Sequence, residues 1–283
     1  MGRIAYVNGR FVPHNDAFVH VEDRGLQFSD GVYEVCPVRA WRVLDEEAHW
    51  QRLDRSLQEL QIAYTVRPAV LRPLIGELLR RNRLSDGMIY LQITRGVAPR
   101  DHAFPAKTQP SIVMTAKAID YDKMEARAQI GVAVRTMPDL RWRRPDIKSI
   151  SLLPNVLAKQ TARQAGAYEA WLVDERGFVT EGSSSNAWIV DDSGRLITHA
   201  LSPAILAGTI RHAVLDIAGE LQLKVEERAF TVAEAGGARE AFLTAATNFV
   251  MPVVEIDGTR IGGGKPGPVA LRLRQVYQAK SLK

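Results

Sequence analysis

A chain of 283 residues, 46% hydrophobic and 24% charged, is long enough for one large domain or two ordinary ones, and apolar enough to bury a real core. The formal charge of +5 keeps anion and nucleic-acid binding under consideration. A single cysteine, Cys36, excludes an internal disulfide and fits a reducing compartment.

The opening residues, Met-Gly-Arg-Ile-Ala-Tyr-Val-Asn-Gly, lack the apolar core of a secretory signal. No later stretch is long and apolar enough to span a bilayer, so a cytoplasmic protein with no membrane partner is expected. "IAYVNGRFVP" (residues 4–13) predicts a hairpin, because Asn8-Gly9 between β-rich runs favours a type I′ turn. "DGVYEVCPVRAW" (30–41) predicts a strand, in which Cys36 reads as a buried small hydrophobe. In "DEEAHWQRLDRSLQELQIA" (45–63), His49, Leu53, Leu57 and Leu60 recur at helical spacing behind an acidic start. "RPAVLRPLIGELLRRNRL" (67–84) predicts a second helix with a basic C-terminal end, as the helix dipole favours. "GMIYLQITRGV" (87–97) and "PSIVMTAKAI" (110–119) are β-type. These elements compose a first α/β unit, residues 1–118.

Residues 119–130, containing "DYDKMEARA", are charged and short of bulky apolar side chains, and are expected to be a linker. The second unit, 131–283, is strand-heavy: "QIGVAVRTM", "AYEAWLVDERGFVTE", "NAWIVDDSGRLITH" and "REAFLTAATNFVMPVVEIDGTRI" are punctuated by turn signals at Gly177, Gly194 and Gly258. Helices are predicted at "PNVLAKQTARQAGA" and "TIRHAVLDIAGELQL".

The chemistry candidates begin with Lys148 in "RPDIKSISLLPN", a lone lysine entering an apolar stretch. Two readings stay open: a snorkelling structural lysine, or an amine for imine formation whose charge an apolar pocket disfavours. The second gains weight if an acid for a pyridine nitrogen and donors for a phosphate lie elsewhere in the chain. "TEGSSSN" (180–186) offers Glu181 and a bend of hydroxyl and amide donors at Ser183, Ser184 and Ser185, against the alternative of a polar surface loop. Leu206-Ala207-Gly208-Thr209-Ile210-Arg211 is a glycine turn running into a helix, whose free amides suit a phosphate. Arg52 projects near the apolar stripe of its helix and is either a phosphate clamp or a surface arginine.

Taken in order, "EDRGLQFSDGVYEV", "HWQRLDRS", "IYLQITRG", "PRDHAFP", "DIKSISLLPNVLAKQ", "YEAWLVD", "TEGSSSN", "ILAGTIR" and "TAATNFVMPV" resemble the class IV, or fold-type IV, pyridoxal-phosphate aminotransferases, nearest to their D-amino-acid branch. The resemblance implies a two-domain α/β (α+β) fold with a small N-terminal domain and a larger C-terminal pseudo-barrel domain. It implies pyridoxal 5'-phosphate, no metal, and transamination between a D-amino acid such as D-alanine and a 2-oxo acid such as 2-oxoglutarate. Residue by residue, Lys148 matches the Schiff-base lysine, Glu181 the acid at the pyridine nitrogen and Arg52 the phosphate arginine. Leu206 matches the residue packed on the ring, and Gly208, Thr209 and Ile210 match the phosphate-binding helix start. Ser183, Ser184, Ser185, Ala246 and Thr247 fall at further cofactor-binding positions, and Glu169 at an acid near the cofactor. Tyr33 matches a tyrosine near the substrate carboxylate. Arg100 and His102 match a carboxylate trap delivered by a partner subunit, which implies a homodimer with a shared site.

Two departures follow from the same matching. Ile210 stands where a hydroxyl residue usually precedes the arginine, and Ala245 and Ala246 stand where relatives often carry Ser or Thr. Other members of the fold, L-branched-chain or (R)-amine aminotransferases and aminodeoxychorismate lyases, are the alternatives. The run "RWRRPD" is short and has no companion stripe, so no nucleic-acid partner is expected. Arg141, Arg143 and Arg144 are expected near a pocket mouth or on the surface, drawing in acidic 2-oxo acids.

Overall fold

The computed structural model describes residues 2–281. The chain divides into two compact units. The first takes the chain up to Asp120 together with Ile147–Ser151, and the second takes Tyr121–Asp146 and the chain from Leu152 onward.

Unit one holds strands β1 (Ile4–Val7) and β2 (Arg10–Pro13), helix α1 (Arg24–Phe28), strands β3 (Gly31–Arg39) and β4 (Arg42–Val43), helices α2 (Glu46–Glu59) and α3 (Pro68–Asn82), and strands β5 (Gly87–Thr94) and β6 (Ser111–Ala118). The strands form a six-stranded sheet in the order β2-β1-β6-β5-β3-β4. Asn8 and Gly9 both take positive φ, 45° and 91°, as the type I′ turn between β1 and β2 requires. Along β3 the even-numbered residues Val32, Glu34, Cys36 and Val38 are each 0% exposed. The period-2 alternation thus sends one charged side chain, Glu34, inward among apolar neighbours. Helix α2 buries His49, Trp50, Arg52, Leu53, Ser56 and Leu57 on one face. β4 covers only Val38 and Arg39 of β3, which leaves the edge at Gly31–Tyr33 open for another segment.

Ile147–Ser151 fills that edge. Val32 pairs with Ser149, the Tyr33 amide donates to the Lys148 carbonyl at 3.0 Å, and the Ile150 amide donates to the Gly31 carbonyl at 3.0 Å. Two backbone hydrogen bonds, one on each side of that pairing, account for a five-residue excursion far from its sequence neighbours in the sheet.

Unit two holds helix α4 (Tyr121–Ile130), strand β7 (Val132–Pro138), helix α5 (Leu153–Gln164), strands β8 (Glu169–Val173), β9 (Phe178–Gly182), β10 (Asn186–Val190) and β11 (Leu196–Thr198), helix α6 (Thr209–Glu220), strands β12 (Val225–Glu227) and β13 (Phe230–Thr231), helix α7 (Val232–Gly236), strands β14 (Glu240–Ala245), β15 (Phe249–Ile256) and β16 (Thr259–Arg260), and helix α8 (Pro268–Ser281). Its sheet runs β12-β11-β10-β14-β15-β7-β8-β9-β13, with β16 paired to β15. β7 is parallel to both β8 and β15. β10 is buried at all of its positions, the signature of a strand covered on both faces.

The segment expected to be a linker is different in kind. Residues 121–130 form α4 inside unit two, with Met124 and Ala128 buried at i and i+4. Glu125 on its other face accepts from Arg274 Nε at 2.9 Å. A stripe of one methionine and one alanine is too thin to read as amphipathic in the sequence, yet it docks the helix. Among the described residues, no helix is long and apolar enough to cross a membrane.

Candidate active site

In unit one, Lys148 is fixed by its backbone on both sides. Its amide donates to Ser56 Oγ on α2 at 3.2 Å while its carbonyl takes the Tyr33 amide. Its Nζ lies over the Tyr33 ring, 4.2 Å from the centroid. Tyr33 is stacked on Tyr90 at 5.7 Å. A lysine on a pinned backbone, with its amine against an aromatic face, is positioned rather than snorkelling.

Arg52 is no surface arginine. Its Nε and Nη2 grip Glu34 Oε1 and Oε2 at 2.8 and 2.7 Å, and His49 Nδ1 meets Oε2 at 2.7 Å. Glu34 and His49 are fully buried. Burial would raise the Glu34 pKa, but the Arg52 guanidinium and the His49 imidazole hold it well below the usual carboxylate range. Glu34 is a residue the sequence analysis passed over; its inward phase on β3 was the available signal. Glu34, Cys36 and His49 also bring potential metal ligands within 4.8 Å of one another. Both Glu34 oxygens are already engaged, however, and burial pushes the Cys36 thiol well above its ordinary value, against the thiolate a metal needs.

Arg100 and His102 come together on the exposed loop after β5. The Arg100 guanidinium lies 4.7 Å from the Phe28 ring centroid and the His102 ring 5.3 Å from it. The loop is anchored from below. Arg24 Nη1 donates to the Asp101 carbonyl at 2.6 Å, its Nε to Asp30 at 2.8 Å, and Arg95 Nε to Asp30 at 2.7 Å.

In unit two, Glu181 lies one residue before the end of β9 with both oxygens held. Oε1 accepts from Arg141 Nη1, and Oε2 accepts from Asn186 Nδ2 at 2.9 Å and the Leu206 amide at 3.1 Å. Burial pushes its pKa up to about 7, against the opposing pull of Arg141. The expectation that Arg141 sits at a pocket mouth or on the surface is corrected: its side chain is 4% exposed. It is drawn inward because Asp139 and Glu181 flank it. Arg143 is exposed, and Arg144 pairs with Asp146 at 2.9 Å.

The serine bend turns its hydroxyls to one acceptor. Ser183 and Ser184 Oγ donate to Glu169 at 2.5 and 2.7 Å, Ser185 Oγ reaches it at 3.4 Å, and Lys159 Nζ pairs with it at 3.1 Å. The three hydroxyls expected for a cofactor are thus engaged by a buried carboxylate on β8. Ala246 and Thr247 lie in the turn between β14 and β15.

The start of α6 has the form of an anion cup. Gly208 is the N-cap and no side chain caps it. The first-turn amides of Thr209, Ile210 and Arg211 have no intrahelical acceptor. The Thr209 hydroxyl is buried and has no hydrogen-bond partner among the described residues. A Cβ at Gly208 would fall 2.2 Å from Asn186 Oδ1, so only glycine fits beside the Asn186–Glu181 pair. Free amides, an orphaned hydroxyl and no acidic residue in the first turn fit the phosphate of a cofactor such as pyridoxal phosphate.

The family model for class IV aminotransferases matches residues 31–256, and the chain belongs to that family. It is 41% identical to the D-alanine aminotransferase of Bacillus licheniformis over 97% of this chain and 96% of that one. With the D-alanine aminotransferase of Staphylococcus haemolyticus it shares 40% identity over 96% of this chain and 95% of that one. Among solved structures it is similar to the T.th. branched-chain amino acid aminotransferase with pyridoxamine 5'-phosphate, at a TM-score of 0.87 and 28% identity over 98% and 93% of the two chains. The branched-chain amino acid aminotransferase of Escherichia coli matches at a TM-score of 0.89, with 24% identity over 99% and 95%, a likeness of fold. The mixed α/β architecture is that of fold-type IV aminotransferases.

Proposed function

We propose that this aminotransferase moves an amino group from a D-amino acid, with D-alanine the favoured donor, to a 2-oxo acid such as 2-oxoglutarate, using pyridoxal 5'-phosphate. The observation that carries the D-specific reading is the Arg100–His102 pair, seated together on Phe28 and open to solvent. Such a pair anchors an α-carboxylate, and where the carboxylate is anchored decides which enantiomer turns its α-proton toward the lysine. The names of the relatives at about 40% identity support the same donor.

Pyridoxal phosphate, when bound, supplies an aldehyde for an amine and a ring that accepts the electron pair left by the α-proton. Lys148 Nζ would be that amine, and as a free amine it would serve as the base that takes the α-proton. Glu181 would face the ring nitrogen, the α6 amides with the Thr209 hydroxyl would hold the phosphate, a role also proposed for Arg52, and Leu206 would pack on the ring. Tyr33 lines the substrate side, Glu169 steadies the serine bend, and two half-reactions alternate to give ping-pong kinetics.

The working unit is a homodimer in the cytoplasm. Phe18, Val21, Leu26 and Phe104 are 77%, 74%, 67% and 55% exposed on the segments that carry or brace the Arg100 loop. Large apolar side chains exposed on those segments suit a second copy of the chain. The test is a donor screen. Yellow protein that consumes D-alanine and leaves L-alanine and L-leucine untouched is the expected result. Preference for L-leucine would move the chain to the branched-chain enzymes.

A further inference from the structure

Asp139, Arg141 and Glu181 form a buried ionic trio, their side chains 13%, 4% and 6% exposed. Arg141 offers Nε to Asp139 Oδ1 at 2.9 Å and Nη2 to Oδ2 at 2.7 Å, a bidentate grip. Nη2 also reaches the Ala204 carbonyl at 3.0 Å. With that edge of the guanidinium fixed, Nη1 is directed at Glu181 Oε1. Thr180 Oγ donates a further bond to Asp139 at 2.7 Å. The other groups on Glu181 come from β10 and the turn before α6, and they are an amide side chain and a backbone N–H. The ionisable groups facing Glu181 are therefore Arg141 and Asp139.

Two carboxylates share one guanidinium, so the trio carries one unmatched negative charge in a place shielded from water. An uncompensated buried charge is costly, and the usual relief is a proton. Asp139 holds the bidentate side and the Thr180 hydroxyl, which leaves Glu181 as the member to take it.

Resting on the cofactor assignment above, we propose that Arg141, clamped by Asp139, is a positioning residue for Glu181, and that the trio makes cofactor loading proton-linked. In the empty chain Glu181 carries the proton. When a ring nitrogen arrives already protonated, the O–H bond of Glu181 breaks, its proton passes to bulk water, and the carboxylate faces the new cation. The raised Glu181 pKa agrees with this order of events.

The test uses the full-length chain stripped of cofactor and titrated calorimetrically with pyridoxamine phosphate. Buffers of different ionisation enthalpy count the protons exchanged at each pH. Wild-type protein should release about one more proton per site than Glu181→Gln at pH values below neutrality, a difference that cancels the ligand's own phosphate. In Arg141→Met the release should persist to a pH higher by about 1 unit or more, and Arg141→Lys should bring it back toward wild type. Asp139→Asn, which removes the excess charge, should move it downward.

Proton release equal in wild type and Glu181→Gln overturns the proposal. So does an unchanged midpoint in Arg141→Met or, where that variant does not fold, in Asp139→Asn. A chain that binds no pyridoxamine phosphate defeats the cofactor assignment instead. In that case the protonated-carboxyl infrared band of the empty chain, lost in Glu181→Gln, still shows whether Glu181 holds its proton.

Discussion

At Glu34, a guanidinium and an imidazole meet one carboxylate where water does not enter. Its pKa in the folded chain lies below the ordinary 4.5. The group therefore contributes stability that is fully present above about 4.5 and is lost as acid protonates it. Glu34→Gln should cost ~3 to 5 kcal/mol at neutral pH, the toll of leaving Arg52 buried without its anion. The same variant should flatten the acid limb of stability, as read by urea unfolding across pH; an unchanged limb would refute the pairing. Glu181 runs the other way. Its folded value is raised to about 7 from 4.5, so the empty chain binds a proton there that the unfolded chain has lost. Stability should fall as pH climbs between those two values, and Glu181→Gln should abolish that slope. Lys148 and Glu181 stand out in the sequence because each sits in a short motif of unusual composition, and the roles proposed for them come from the family resemblance. Arg141 does not. Inside "RWRRPD" it has the look of a solvated cation, and only folding reveals that Asp139 and Glu181, 2 and 40 residues away, close on it.

Among the elements, the loop after β5 shows how backbone sets what side chains can do. Gly96 takes φ +100°, and a Cβ there would fall 1.9 Å from the Gln109 carbonyl oxygen. The Gly96 carbonyl also accepts the Arg24 amide at 2.9 Å, tying the loop to α1. Gly96→Ala should therefore destabilise the chain by at least ~2 kcal/mol, since alanine meets both a disfavoured φ and a closed space. Because the loop carries Arg100 and His102, the surviving enzyme should show a raised KM for D-alanine with kcat less affected, and equal losses in both would point to a different role for the loop. The regular elements of unit one were readable because their periods are clean: alternation along β3, a 3.6-residue stripe on α2, Asn-Gly in the hairpin. Helix α4 was not, since Met124 and Ala128 alone mark its buried face. Nor was the attachment of Ile147–Ser151 to β3, which depends on β4 stopping short of Gly31–Tyr33. The serine bend was legible as a cluster of donors but not by its target, because Glu169 lies on a strand 14 residues from Ser183.

For the molecule as a whole, the question is whether one chain holds everything its chemistry requires. Lys148 is braced by β3 and α2, whereas Arg100 and His102 stand on an exposed loop whose supporting segments present Phe18, Val21 and Leu26 to solvent. A site completed in trans makes a sharp prediction. Lys148→Ala abolishes transamination, and Arg100→Ala weakens carboxylate binding by roughly 2 to 4 kcal/mol, the loss of a charged partner. Each variant is poor alone. In a mixed dimer one site is assembled from the intact lysine of one subunit and the intact arginine of the other, while the second site lacks both. With random reassortment half the dimers are mixed and half of their sites are whole, so the mixture should recover about a quarter of wild-type turnover. Co-refolding the two variants and assaying D-alanine consumption measures this directly. If both groups acted within one chain, reassortment would restore nothing, and the mixture would show only the average of its two crippled parents.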